Sequence, residues 1–381
     1  MKIAINTRLL IKNKLDGIGW FTFETLNRIT KAHPENTFYF IFDRPYHPEF
    51  AGFSDNIIPI VLSPQARHPL LFYIWFEWSI PFLFRKINPD IFVSPDGYIS
   101  LSTKVPTLAV IHDLNFEHYP KDLPWLVRWY YRHYFPQFAQ KSARIVTVSE
   151  FSKQDIVEQY HINPEKIDVV YNGASALFTP INETVKNEVR HEYSQGKPYF
   201  LFVGALHPRK NLINLLKAFD LFRDRHDTDI KLLVVGEKKW WTPEMQAAYS
   251  GMKWTNEVIF IGRMDIGQLR KVLGAALAQV YVSYFEGFGI PIIEAFNCEV
   301  PVITSNVTSM PEVAGDAALL VDPFSVNSIA DGLSKIAFDP IYRISLIEKA
   351  KERRKIFDWD QTANGLWQSI ERTFPHLSQK K

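Results

Sequence analysis

One cysteine, Cys298, is all the thiol this 381-residue chain has. That excludes an intramolecular disulfide framework and a cysteine-rich zinc site, and it fits a reducing compartment, so a cytoplasmic protein is expected. An excess of charge is missing too. Forty-three Lys and Arg against 41 Asp and Glu leave a net charge of +2, which gives no global attraction to nucleic acid, and any basic site has to be local. Long apolar runs are also lacking. The most membrane-like stretch, 69–84 (PLLFYIWFEWSIPFLF), is shorter than the ~20 apolar residues a span needs and contains Glu77 and Pro81. Two readings of it stay open: a buried helix or loop, and a contact with a membrane surface or lipid-like substrate. The opening MKIAINTRLL lacks the apolar core and small-residue cleavage site of a signal peptide and reads as a buried strand. A full GxGxxG is absent as well, because DGIGW (16–20) supplies Gly17 and Gly19 but position 22 is Thr22, which argues against nicotinamide binding. No metal-ligand cluster stands out.

What is present is globular. Hydrophobic residues make up 46% and charged residues 22%, ordinary values for soluble chains, and the length calls for two domains or one large one. Short Val/Ile/Phe-rich runs alternate with helix-like segments, the pattern of parallel strands covered on both faces. The first set is 2–6, 37–43, 57–63, 90–96, 106–113, 144–149 and 166–171; the second is 199–204, 230–236, 258–262, 279–284, 300–306 and 318–321. Between them a polar stretch around 178–197, with Pro180, reads as the linker. We therefore expect an α/β chain with Rossmann-like domains at 1–178 and 179–357, then a closing helix and frayed tail at 358–381. Two such domains facing one another would place a cleft at the carboxyl ends of both sheets, with the functional residues just after strands.

Several residues fit that expectation. In VGALHPRKNL (203–212), Arg209 and Lys210 lie between a strand and a helix, where a guanidinium fork, an ammonium and free backbone amides suit a diphosphate; a solvated pair of surface charges is the alternative. In FEGFGIPIIEA (285–295), Gly287 and Gly289 permit a tight turn and close approach of a phosphate, with Pro291 opening the next helix. Glu286 on the loop and Glu294, read as first-turn, would face one pocket; helix-dipole complementarity is the structural alternative for Glu294. His112 and Asp113 end a strand and point the same way, unless they serve as a hydrogen-bonded His and a cap. Ser149, Ser152, Asn172–Gly173, Pro311–Glu312 and Asp265 with Gln268 read as caps and turns. The segment 123–144 (LPWLVRWYYRHYFPQFAQKSAR) mixes aromatics with Arg128, Arg132, Lys141 and Arg144 and has no acid. It suits either an anionic bilayer or a core helix with snorkelling cations, and Pro136 argues against one uninterrupted helix.

Together VGALHPRKNL, FEGFGIPIIEAF, PVITSNVTSMPEVAGDAALLVDP, IHDL and DGIGW resemble the nucleotide-sugar-dependent, retaining glycosyltransferases of family 4, of the GT-B type. The resemblance is densest over 199–323. It implies that Arg209 and Lys210, with Gly17, Gly19, Gly287 and Gly289, hold the donor diphosphate. By the same resemblance Glu294 binds the ribose, with Gly236 also on the nucleotide side, while Glu286 and His112 lie by the transferred sugar. It implies no cofactor and no metal, the nucleotide sugar being a co-substrate, with GDP-mannose favoured and a UDP-sugar also admitted. The acceptor would be a saccharide or lipid-linked oligosaccharide in cell-surface polysaccharide or lipopolysaccharide assembly, which places the enzyme in the cytoplasm or peripherally on the inner membrane face. Two departures from the family pattern are Glu299, where Gly is usual after the cysteine, and Gly236-Glu-Lys-Lys239 in place of Gly-x-Gly-Pro, which bears on base contacts. A nucleotide-sugar epimerase and a silent nucleotide-sugar-binding subunit remain as alternatives.

Overall fold

A computed structural model describes residues 1–374. Contacts divide the chain into two compact units, Met1–Asn172 together with the helix Trp359–Arg372, and Gly173–Asp358. The polar end at 378–381, expected to fray, lies outside the described residues.

The first unit holds seven parallel strands: β1 (Lys2–Asn6), β2 (Thr37–Phe42), β3 (Ile57–Val61), β4 (Ile91–Ser94), β5 (Thr107–Val110), β6 (Arg144–Thr147) and β7 (Ile167–Val169), in the spatial order β3-β2-β1-β4-β5-β6-β7. The second holds six, also parallel: β8 (Tyr199–Val203), β9 (Lys231–Val235), β10 (Val258–Gly262), β11 (Ala278–Tyr281), β12 (Val302–Ser305) and β13 (Leu319–Val321), in the order β10-β9-β8-β11-β12-β13. The expected strands are all there. They are legible because a parallel strand covered by helices on both faces must be apolar on both, as in β4, β5 and β9, whose every residue is buried. Counted within its own unit, each sheet begins 3-2-1-4, so the order reverses between β1 and β4 in one and between β8 and β11 in the other. That reversal opens a crevice at the strands' carboxyl ends.

Three local expectations change. The stretch read as a linker contains a helix, Glu183–Ser194, capped by the Asn182 side chain, which accepts from Val185 N at 2.9 Å. It buries only Val189 and Ser194, too narrow an apolar stripe to announce itself. Pro136 does not interrupt the helix Trp125–Lys141, since burial of Phe135, Phe138 and Ala139 holds the chain helical across the lost N–H. Glu299, where the family resemblance leads one to expect glycine, sits at φ +56°, so this side chain occupies a left-handed turn that glycine adopts more readily. The C-terminal helix returns to the first unit: Trp367 stacks on His33 at 3.6 Å, and Asp360 accepts from Arg28 Nε at 2.5 Å.

Candidate active site

The β8/β11 crevice brings Arg209, Lys210 and Glu286 together. Past β8, His207 Nδ1 accepts from Arg209 N (3.3 Å) and starts the short turn Pro208–Lys210. Asn211, left-handed at φ +60°, then swings the chain into the helix Leu212–Arg225. Its buried Nδ2 donates to Val282 O (2.9 Å) and Pro323 O (2.7 Å), and Tyr284 N donates to Arg209 O (3.1 Å), which locks the β8 loop onto the β11 loop. The β11 loop is held from the other side by buried Ser309, whose Oγ lies 2.9 Å from Glu286 O and 2.8 Å from Phe288 O.

In that frame Glu286 Oε2 accepts from Arg209 Nη1 at 2.6 Å and Oε1 from Lys210 Nζ at 2.5 Å. Burial alone would raise the Glu286 carboxyl, which is 6% exposed, but the two cations outweigh it and hold it down at about 2. Lys210 Nζ also donates to Tyr281 Oη at 2.7 Å, and burial pushes that phenol well above its ordinary range, so it stays neutral. Two cations thus share one carboxylate and one phenol at the end of β11.

Gly289, at φ +115°, is the residue from which the helix Ile290–Asn297 starts, and Gly287 lies on the same loop. Pro291 is the second helical residue rather than the first, and Glu294 the fifth, beyond the first turn. Glu294 therefore lies outside the turn where a carboxylate complements the helix dipole, and that structural explanation falls away. Burial raises its carboxyl to about 7, and no hydrogen bond offsets this among the described residues. Near neutral pH the group is therefore divided between acid and carboxylate, and in its ionised form it only accepts, which suits hydroxyl donors. Gly236 follows β9 and lies against Gly204, where a Cβ would come 2.0 Å from the Gly204 carbonyl oxygen, so close backbone approach requires glycine there. The Lys238–Trp240 turn after it places Trp240, 44% exposed, 5.4 Å from the His207 ring.

Gly17, Gly19 and His112 belong to the first unit. Gly17 is exposed at the first position of the helix Gly17–Ala32, and buried Gly19 gives its N–H to the capping Asp16 Oδ1 (2.9 Å). His112 Nε2 lies 2.8 Å from Pro95 O; a carbonyl only accepts, so Nε2 carries the proton and Nδ1 the lone pair. Burial lowers the His112 pKa and keeps the ring neutral. Ser149 and Asp265 cap helices, accepting from Ser152 N (3.0 Å) and Gln268 N (2.9 Å).

Sequence reading missed a second charged cluster at the other reversal point. Arg8 Nε donates to Asp96 Oδ2 at 2.6 Å, Asn6 Nδ2 donates to Asp96 Oδ1 at 2.8 Å, and the Arg8 guanidinium lies 4.4 Å from the Tyr98 ring centre and 5.0 Å from that of Phe72. The available signal was positional: Arg8 lies two residues past β1 and Asp96 two past β4. Tyr281 and Ser309 were missed for a different reason, since both read as interior strand or cap residues.

Two family models match the chain, "Glycosyltransferase Family 4" over residues 15–176 and "Glycosyl transferases group 1" over 185–353. The chain is a family 4 glycosyltransferase. It is 27% identical to the O-antigen chain mannosyltransferase B of Escherichia coli, over 94% of this chain and 97% of that one. To an O-antigen chain mannosyltransferase of Salmonella typhimurium it is 26% identical, over 76% of this chain and 78% of the relative. Among solved structures, the family 4 chain superposes on sucrose-phosphate synthase from Thermosynechococcus elongatus with a TM-score of 0.78 and 18% identity, covering 98% and 99% of the two chains. It superposes on Anabaena HepE in complex with UDP and glucose with a TM-score of 0.75 and 15% identity, covering 98% and 100%. These likenesses give the GT-B fold, two Rossmann-like α/β domains in one chain.

Proposed function

We propose that this glycosyltransferase moves a mannosyl group, with retention of anomeric configuration, from GDP-mannose to a saccharide or lipid-linked acceptor in O-antigen-type polysaccharide assembly. The sugar is supported by the names of the two O-antigen relatives. The donor class is supported by the observation that carries the reading, the Arg209–Lys210–Glu286 cluster at the β8/β11 reversal. A diphosphate entering there takes the cations from Glu286, which turns toward the sugar. Glu294 accepts from the ribose hydroxyls, with the glycines at 287 and 289 letting backbone amides approach the phosphates. Of the remaining sites assigned by resemblance, Gly236 supports the nucleotide loop from behind, Gly17 and Gly19 lie in the first turn of the helix Gly17–Ala32, and His112 offers Nδ1 to a sugar hydroxyl.

In the transfer step the bond from the anomeric carbon to the diphosphate oxygen breaks while a bond to the acceptor oxygen forms on the same face. The acceptor proton passes to the departing phosphate. Charge grows on the diphosphate only as that bond breaks, so Arg209 and Lys210 accelerate the step beyond their contribution to binding. They supply the neutralisation that a metal ion supplies in other transferases, and turnover should persist in excess chelator. A UDP-sugar is the second donor to screen, because UDP occupies the Anabaena structure. The test is NMR of the product formed from GDP-mannose and a mannosyl acceptor. An α-mannoside with release of GDP is expected; a β-linkage would overturn retention, and epimerised donor without transfer would point to an epimerase.

A further inference from the structure

The segment 69–87 is apolar on both sides of its helical path, which a helix facing water is not. Inward, Phe72, Trp75 and Ile80 fill the core of the first unit. Outward, Leu70, Tyr73, Trp78 and Phe82 form a second stripe, the five-residue step from Tyr73 to Trp78 being absorbed by the π turn Trp75–Ser79. The acid of this segment does not interrupt it: the Glu77 oxygens accept from Leu101 N (2.7 Å) and Ser102 N (3.0 Å). The stripe ends in exposed Arg85 and Lys86, with Lys86 Nζ 4.5 Å from the Phe82 ring centre. Beside it, the helix Trp125–Lys141 exposes Trp125 and Trp129 one turn apart, with Arg128 between them. Tyr134 joins the two stripes, 6.2 Å from both Tyr73 and Trp129. Leu70, Trp78, Phe82, Trp125 and Trp129 are 53–70% exposed. Single exposed apolar residues need no explanation, whereas a connected aromatic surface of this kind does.

We propose that this face is a bilayer-docking surface, in which the Trp and Phe side chains enter the headgroup region of an anionic leaflet and Arg85, Lys86 and Arg128 meet its phosphates. Tryptophan and tyrosine favour that interface, since their rings are apolar and their N–H and O–H groups stay wet, and basic flanks choose anionic over zwitterionic lipid. The charge complementarity selects a bilayer over a second copy of this chain, whose matching face carries the same cations. The proposal deepens the functional reading by placing the enzyme where lipid-linked acceptors reside, but vesicle binding does not depend on transfer.

The test is flotation of the full chain with phosphatidylcholine vesicles and with vesicles about one-third phosphatidylglycerol. Both vesicle sets are run with wild type, Trp78→Glu/Phe82→Glu and Trp125→Glu/Trp129→Glu, with GDP titrated into each protein and its oligomeric state measured. Wild type should bind the anionic vesicles, lose binding in high salt, and fall at least tenfold in each variant while GDP affinity is unchanged. Absence of binding by wild type, or equal binding by both variants, overturns the proposal. A dimer that the substitutions dissolve would show the face to be a self-association surface instead. Vesicle binding in a protein that takes no GDP would leave the surface standing and sink the transferase donor assignment.

Discussion

The two sheets reverse their strand order in the same way, and each places a cation–carboxylate cluster at the reversal, yet the two clusters are built for different ends. In the first unit one guanidinium meets one carboxylate, and the Arg8 and Asp96 side chains are 7% and 4% exposed under the rings of Phe72 and Tyr98. Charge is balanced and water excluded. In the second unit two cations meet one carboxylate, and the Arg209 side chain is 25% exposed. Those three side chains sum to +1, at loop ends rather than beneath a lid of aromatics. One cluster is neutral and closed to solvent, whereas the other carries a surplus cation and a partly exposed guanidinium, the feature on which the proposed exchange of its carboxylate for an anionic ligand rests.

Breaking the first cluster should give the largest effect and should leave the ligand alone. Asp96→Ala leaves a buried guanidinium without its carboxylate, and stability should fall by about 3–5 kcal/mol with GDP affinity retained. Urea unfolding and a parallel GDP titration check this; a loss of GDP affinity in folded protein would erase the contrast between the clusters. Lys210→Ala should act chiefly on turnover, removing a charge-assisted contact of about 1.5–3 kcal/mol and lowering kcat/KM about 10- to 150-fold, with a smaller stability loss than Asp96→Ala because Arg209 still pairs with Glu286. Unchanged kinetics would move the diphosphate elsewhere.

The third expectation sharpens the comparison through pH. Folding raises the Glu294 pKa to about 7, so the unfolded chain loses this proton first as pH rises, and the group destabilises the fold progressively between about 4.5 and about 7. Ribose hydroxyls need the carboxylate, so GDP should bind about tenfold more weakly at pH 6 than at pH 8. Glu286, held at about 2, stays ionised between pH 6 and pH 8 and adds no slope to GDP binding there. Calorimetry on Glu294→Gln should show the Glu294 part of the dependence gone and relative stability improved at pH 8; an unaltered slope would assign it to the GDP phosphates. The smallest effect is expected for Tyr281→Phe, which removes one hydrogen bond to Lys210 and should lower kcat about three- to tenfold with KM nearly constant.

Much of the fold was legible because buried parallel strands are apolar runs, though those runs overshoot the ladders. The run at 106–113 forms a strand only over Thr107–Val110, and the remainder carries His112 into the loop. The helix Glu183–Ser194 was hidden by its charged surface, and the helical phase of Glu294 by a start one residue earlier than Pro291 suggested. The site residues could be placed individually at strand ends, but their convergence could not. Arg209 and Glu286 are 77 positions apart, and they meet because β8 and β11 are neighbours in the sheet, a fact that no local pattern records. Arg8 was obscured in MKIAINTRLL, where it follows the strand too closely to read as a loop residue.

The central claim is that Arg209 and Lys210 hold the donor's diphosphate, and calorimetric titration of the full chain with GDP, UDP, ADP and NAD, repeated on a folded Arg209→Ala/Lys210→Ala variant, tests it most directly. The account predicts saturable binding of one nucleoside diphosphate, GDP first, weakened at least tenfold in the variant. Equal affinity in the two proteins, or binding of NAD alone, would contradict it.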